Sequence, residues 1–310
     1  MVFLLLLGLI AGTMVPIQTS INSRLIEYTK SSFYASTISF AVGSLFLIIV
    51  NVIVNPGVFN ANYYHFDFNY TWITGGILGV IFLTGNLILF PRLGASLTVI
   101  ITIAGQIVMG VLIDTFGWFG AEAQPFTFLK LCGILLLFFG IFIMNYSKQS
   151  GATETQNNPL ALILWLAIGF AFGFAPPIQT AINSQLGQTV QSPFLASFIS
   201  FFVGTVALFI ITLIMNRSLK MRAHSPELGK IKWFYFIGGI LGVVFVTANI
   251  ILMPHLGAAL TTIIAMLGQM LMGILIDHFA LLGAPRNRIS VRKCVGVICI
   301  IIGIVILRLF

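Results

Sequence analysis

Pro16–Leu25 reads PIQTSINSRL and Pro177–Leu186 reads PIQTAINSQL, identical at eight of ten positions. A second pair of blocks, Gly85–Asp114 and Ala248–Asp277, agrees at eighteen of thirty. The offset is 161 residues in the first pair and 163 in the second, so one unit is written twice and the difference falls between its second and third helices. What that unit is follows from composition. The chain has 310 residues, 59% hydrophobic and only 7% charged, with 29 phenylalanines and a mean hydropathy of +1.09. A water-facing shell cannot be assembled from it, which leaves an all-α polytopic membrane protein.

Apolar runs long enough to cross a bilayer number ten, at about residues 2–25, 33–54, 71–90, 94–113, 128–146, 160–186, 194–215, 232–252, 257–276 and 292–309. They divide as a first five-helix repeat over 1–146 and a second over 160–310, joined by the polar linker SKQSGATETQNNP at 147–159. Met1–Ser20 has the look of a secretory leader. It lacks a basic n-region, and a close copy recurs at Ile168–Ser184, so it is expected to be a retained helix. An odd number of spans per unit forces the second repeat to enter the membrane from the opposite side. The basic residues give an independent check: alternate connections place thirteen of the fifteen Lys and Arg on one face and only Lys130 and Arg308 on the other. That asymmetry predicts a cytoplasmic-membrane protein with both termini outside.

The net charge of +8 is therefore topological, and no nucleic-acid partner is expected. Cys132, Cys294 and Cys299 have no metal or redox spacing and read as small apolar residues, so neither a metal nor any other cofactor is implied. His65, His224, His255 and His278 lie in loops or at span ends, with no HExxH and no Gly-x-Ser-x-Gly elbow, so catalytic residues are not expected.

The spans do carry uncharged polar residues, and these recur in both units. Gln18 and Asn22 match Gln179 and Asn183, spaced i, i+4 on one helix face. Pro16 precedes the first pair and Pro176 with Pro177 the second, each removing a helix hydrogen bond. One reading is a broken helix lining a solute site near the midplane; the other is a tolerated kink with interhelical hydrogen-bond glue. Gln106 and Gln269 lie about halfway along the fourth spans and are the deepest polar groups. Asn86, Asn249, Thr98 and Thr261 are secondary lining candidates, with structural glue at least as good an account of the asparagines. Asp114 and Asp277, the acidic residues matched between the repeats, each end a fourth span. A carboxylate there opposes the helix dipole, so something else must hold it. Either it couples or gates transport through an ion pair, with Arg92 or the basic cluster around Arg292 as partner, or it simply ends the span. The matched small-residue pairs Gly8/Gly12 and Gly169/Gly173, and Gly75/Gly79 and Gly238/Gly242, permit close helix packing.

Pro-x-Gln-x-x-x-Asn in the first helix, Asn-x-x-x-x-Pro-x-Leu-Gly-Ala across the third and fourth, and Gly-Gln-x-x-x-Gly-x-x-x-Asp in the fourth resemble the drug/metabolite transporter superfamily, in particular its YdcZ-type inner-membrane exporters. The resemblance implies alternating access around a central cavity. It departs from the small multidrug members in one respect: their first-helix glutamate is absent, and Gln18 and Gln179 stand in that region. It departs in a second, since characterised ten-helix members keep both termini in the cytoplasm. The expected function is secondary transport of a small organic solute within the lipid bilayer, lined by Gln18, Asn22, Gln106, Gln179, Asn183 and Gln269. The alternatives are a non-transporting assembly or lipid-interaction protein and, with less support, a channel. One chain supplies both halves, so a monomer suffices and a dimer is not forbidden.

Overall fold

The computed structural model describes residues 1–57, 69, 71–145, 159–216, 219–283 and 290–309. The 147–159 linker, apart from Pro159, lies outside these residues, as do His65, Lys148, Arg217, Arg286 and Arg288. The described residues are all-α but for one short hairpin. The helices are α1 Val2–Thr29, α2 Ser32–Val54, α3 Thr71–Phe116, α4 Phe128–Asn145, α5 Pro159–Phe172, α6 Ala175–Thr189, α7 Pro193–Asn216, α8 Gly238–Leu256, α9 Ala258–Phe279 and α10 Val291–Leu309. Among the described residues seven helical stretches are long and apolar enough to cross a membrane, and Trp72–Asn86 and Phe128–Ile143 are shorter apolar ones. Leucines, isoleucines and phenylalanines cover the outer surface, with Leu160 77% and Phe128 76% exposed, as a bilayer requires.

The helix ends follow ordinary rules. Lys30 turns left-handed at φ 53° to stop α1, and Ser31 Oγ accepts from Tyr34 N to start α2. The hairpin His224–Ser225 with Gly229–Lys230 folds the basic loop back onto α1, where Tyr28 Oη donates to the carbonyls of Gly229 and Lys230.

One expectation about the spans is corrected. Pro16 does not interrupt α1, which is helical from Val2 to Thr29. One missing N–H is bridged by the surrounding ladder, whereas the tandem Pro176 and Pro177 leave two consecutive carbonyls without donors, and there the helix is interrupted at Gly173–Phe174. The turn expected between the third and fourth spans is present: α3 comprises both, and a Cβ at Gly169 would lie 2.7 Å from the Ile101 side chain and 3.3 Å from that of Leu89, residues that a straight helix would hold about 18 Å apart, so α3 doubles back between them. In the second unit the equivalent junction separates two helices at Gly257.

The two units interlock by like contacts. α1 packs on α8 and α9, while α5 and α6 pack on α3; α2 faces α7 and α4 faces α10. A Cβ at Gly12 would strike Ala265 O and one at Gly173 would strike Thr102 O. Likewise a Cβ at Gly268 would strike Leu9 O, and one at Gly105 would strike Phe170 O. The small-residue pairs are thus where backbones of different units touch, the close approach that lets dispersion hold helices together in lipid.

Candidate functional site

Four helices enclose a cavity of about 50 Å³ lined by Gln106 of α3, Pro176, Gln179, Thr180 and Asn183 of α6, Phe245, Val246, Asn249 and Ile250 of α8, and Thr262, Ala265 and Gln269 of α9. Five of these side chains are carboxamides, two are hydroxyls and none is charged. A carboxamide both donates and accepts, and in a low-dielectric surround each unmet group is costly, so the wall presents hydrogen-bonding capacity without a counter-ion. The volume holds a few waters, while ligand pockets run from roughly 300 Å³ upward.

The cavity gathers Gln106, Gln179, Asn183, Asn249 and Gln269 from the six carboxamides and the secondary set read off the sequence. It leaves out Gln18, Asn22, Asn86, Thr98 and Thr261. Their placement has physical causes. Asn22 Nδ2 donates to Ser39 Oγ at 3.3 Å, and Asn183 Nδ2 to Ser200 Oγ at 3.0 Å. The two amide oxygens lie where a Cβ of Gly238 or of Gly75 would be, and neither accepts a conventional hydrogen bond. A Cβ at Gly242 would sit 2.8 Å from Gln18 Nε2, and one at Gly79 would sit 2.9 Å from Gln179 Nε2. The i, i+4 amides therefore seat in glycine notches of the opposite unit, and Gln18 and Asn22 do only that here. Asn86 and Asn249 each donate to the carbonyl four residues back, Phe82 and Phe245. Thr98 and Thr261 are fully buried with unpartnered hydroxyls.

Sequence reasoning missed Ser39 and Ser200, which the 161-residue offset pairs in the second helices, and Thr180, which pairs with Thr19. It had no means to find Thr262, since Val99 stands at the matching position of the first unit.

Asp114 has backbone partners, and no salt bridge to Arg92 or Arg292 is present among the described residues. Both carboxylate oxygens accept backbone N–H groups at the start of α9, Oδ1 from Ala258 at 2.6 Å and Oδ2 from Ala259 at 2.8 Å. The side chain is 7% exposed. The first N–H groups of a helix have no partner within it, and the N-cap position here is Gly257, which has no side chain to offer. Asp114 supplies the cap from another helix, and its charge meets the positive end of the α9 dipole, an interaction of about 1–2 kcal/mol. Arg92 instead donates to Ile88 O at 3.0 Å and lies 4.2 Å above the Trp165 ring. Asp277 stands in the last turn of α9, and its side chain lies outside the described residues. Beside Asp114 a second cavity of about 260 Å³ is lined by Thr115, Gln124, Lys130, Leu256, Leu260 and neighbouring aliphatic residues.

This arrangement can bind a polar solute among amides between units that touch backbone to backbone. Among the described residues no cluster of His, Cys, Asp or Glu is placed to hold a metal.

Comparison with known proteins agrees. Inner membrane protein YdcZ of Escherichia coli (strain K12) is 28% identical over 140 residues, which make up 45% of this chain and 91% of that protein. The relative thus has about the length of one repeat. A solved structure described only as a crystal structure of protein shares the fold at a TM-score of 0.66 and 13% identity, covering 98% of this chain and 94% of its own. The profile of the family described as "Putative inner membrane exporter, YdcZ" matches twice, over residues 3–143 and 164–306. A family of membrane exporters is no enzyme class, and multi-pass inner-membrane placement accords with the apolar helices. The chain belongs to the YdcZ family of drug/metabolite transporters, with two copies of the family's unit in one polypeptide.

Proposed function

We propose that this protein exports a small organic solute by alternating access between two inverted five-helix repeats, residues 1–146 and 160–310, crossing the inner membrane ten times with both termini outside. The observation that carries the reading is the uncharged cavity, where Gln106 and Gln269, one from each repeat, face the same space as Gln179, Asn183 and Asn249. A strongly charged cargo would lose its hydration there and find no counter-ion, so the solute is neutral, zwitterionic or amphipathic. The matched contacts, Gly12 against Gly268 and Gly173 against Gly105, support two units related by a twofold axis in the membrane plane. In the opposite conformation Gln18, Asn22 and Asn86 take the place of Gln179, Asn183 and Asn249. Gln106 and Gln269 serve both. One chain is a complete carrier, with lipid and solute as its only required partners, and Asp114 and Asp277 act at the two mouths.

The test is efflux from cells or vesicles across a panel of neutral and zwitterionic metabolites and amphipathic drugs. Gln106→Leu combined with Gln269→Leu should reduce export at least tenfold while protein yield and helicity hold. Unchanged export in that double variant, or a purified protein stabilised by lipid but by no solute of the panel, sinks the reading.

A further inference from the structure

The amide cavity ends toward Asp114 in a plug made by Met109 and Ile113 of α3, Ala181 of α6, Met253 of α8 and Ala258 of α9. These are the same four helices that line the cavity. The plug holds only while the first turn of α9 stays against α3. At that contact a Cβ on Gly110 would lie 3.0 Å from Ala259 Cα, so the two backbones already touch. Asp114 fixes the contact from beyond the plug, reaching across to the N–H groups of Ala258 and Ala259.

Two features mark this as more than an ordinary cap. It is supplied by a different helix, so it ties two elements together rather than ending one. It borders the 260 Å³ cavity with Gln124 and Lys130, so water from that face can replace either partner when the bond opens. The junction it holds, at Gly257, has φ 79° and ψ 170°, a backbone region open almost only to glycine.

We infer that Asp114 is a positioning residue for export, a latch that closes this face of the carrier by pinning the broken N-terminus of α9 over the plug and that lets go when the face opens. The inference rests on the carrier reading above. Moving the start of α9 away from α3 would withdraw the two N–H groups from the carboxylate, so the latch and an open face exclude each other.

The experiment reads accessibility and needs no substrate. In a chain with Cys132, Cys294 and Cys299 replaced by alanine, Thr262→Cys reports the cavity and Gln124→Cys, on the exposed loop beside Asp114, reports which side of the membrane that face is. A charged, membrane-impermeant maleimide is applied to one side at a time. Asp114→Ala should raise the labelling rate of the cavity cysteine about tenfold from the Asp114 side only, and Asp114→Asn should raise it less. Ala258→Pro provides a second route: it deletes the 2.6 Å donor at the first helical position, where proline is well accommodated, and leaves the carboxylate intact. It should give the same one-sided increase. If these variants lower thermal stability but leave the sidedness of labelling unchanged, Asp114 is a cap and no latch. A cavity cysteine that labels from neither side in any variant overturns the carrier reading itself, since the amides would then lie on no aqueous path.

Discussion

The junction between third and fourth helices is built twice in this molecule from almost the same letters. In both the chain doubles back: Leu89 and Ile101 flank the same point, Gly169, in the first unit, and in the second the chain stops at Leu256, turns at Gly257 and starts again at Ala258. Each copy has a proline three residues before the glycine, and a proline by itself removes only one hydrogen bond, so it permits a break without imposing one. At the second junction the partner comes from another helix: Asp114 meets the freed N–H groups of Ala258 and Ala259. A reversal whose helix start is capped from elsewhere depends on a contact that its own letters do not contain.

The largest effects come from breaking the part of the comparison in which the two units are alike. Gly105→Leu and Gly268→Leu would each drive a side chain into a backbone carbonyl of the other unit, Phe170 O in one case and Leu9 O in the other. No rotamer avoids a backbone atom at the Cβ itself. Both variants should fail to accumulate as folded protein, measured by yield and by monodispersity in detergent. Survival of one and loss of the other would show that the interlock is not shared evenly.

The repeat, the helical class and the matched polar residues were legible in the sequence because each has a local signature: run length, i, i+4 spacing, a fixed offset. The offset even held the signal for Ser39 and Ser200, the hydroxyls that receive Asn22 and Asn183. What no local pattern carries is which of two equivalent arrangements the chain adopts. Gln18 and Gln179 are indistinguishable by sequence, yet only Gln179 lines the cavity. Asp114 was legible as a charge in need of a partner, but the partner is backbone, which has no letter. The interruption at Gly173–Phe174 and its absence at Pro16 turn on one proline against two, a difference visible in the sequence whose consequence depends on the summed strength of the surrounding ladder.

A smaller effect tests the capped junction. Gly257 occupies a region of backbone space that is open almost only to glycine, so Gly257→Ala should cost about 1–3 kcal/mol. Thermal unfolding in detergent measures it. A neutral Gly257→Ala would mean that the junction reaches its cap through a backbone conformation open to other residues.

The smallest effect separates the two seated asparagines. Asn183 is fully buried and its bond to Ser200 is 3.0 Å, while Asn22 is partly exposed and its bond to Ser39 is 3.3 Å. Interhelical hydrogen bonds in membranes are worth about 0.6 kcal/mol on average and seldom more than about 1.7, because the unfolded helices find other partners in the bilayer. Asn183→Ala should therefore cost about 1 kcal/mol and Asn22→Ala about half that, read from unfolding midpoints at matched detergent. The sign of the difference matters more than its size. Each asparagine sits against the glycine notch of the opposite unit, so under the proposed alternating access a reversal exchanges their environments, and the measured difference weights each conformation by its population. A protein resting in the state seen here gives Asn183 the larger cost. Costs that converge would place the two conformations at similar populations, and a reversed order would make the state with Asn22 buried the resting one.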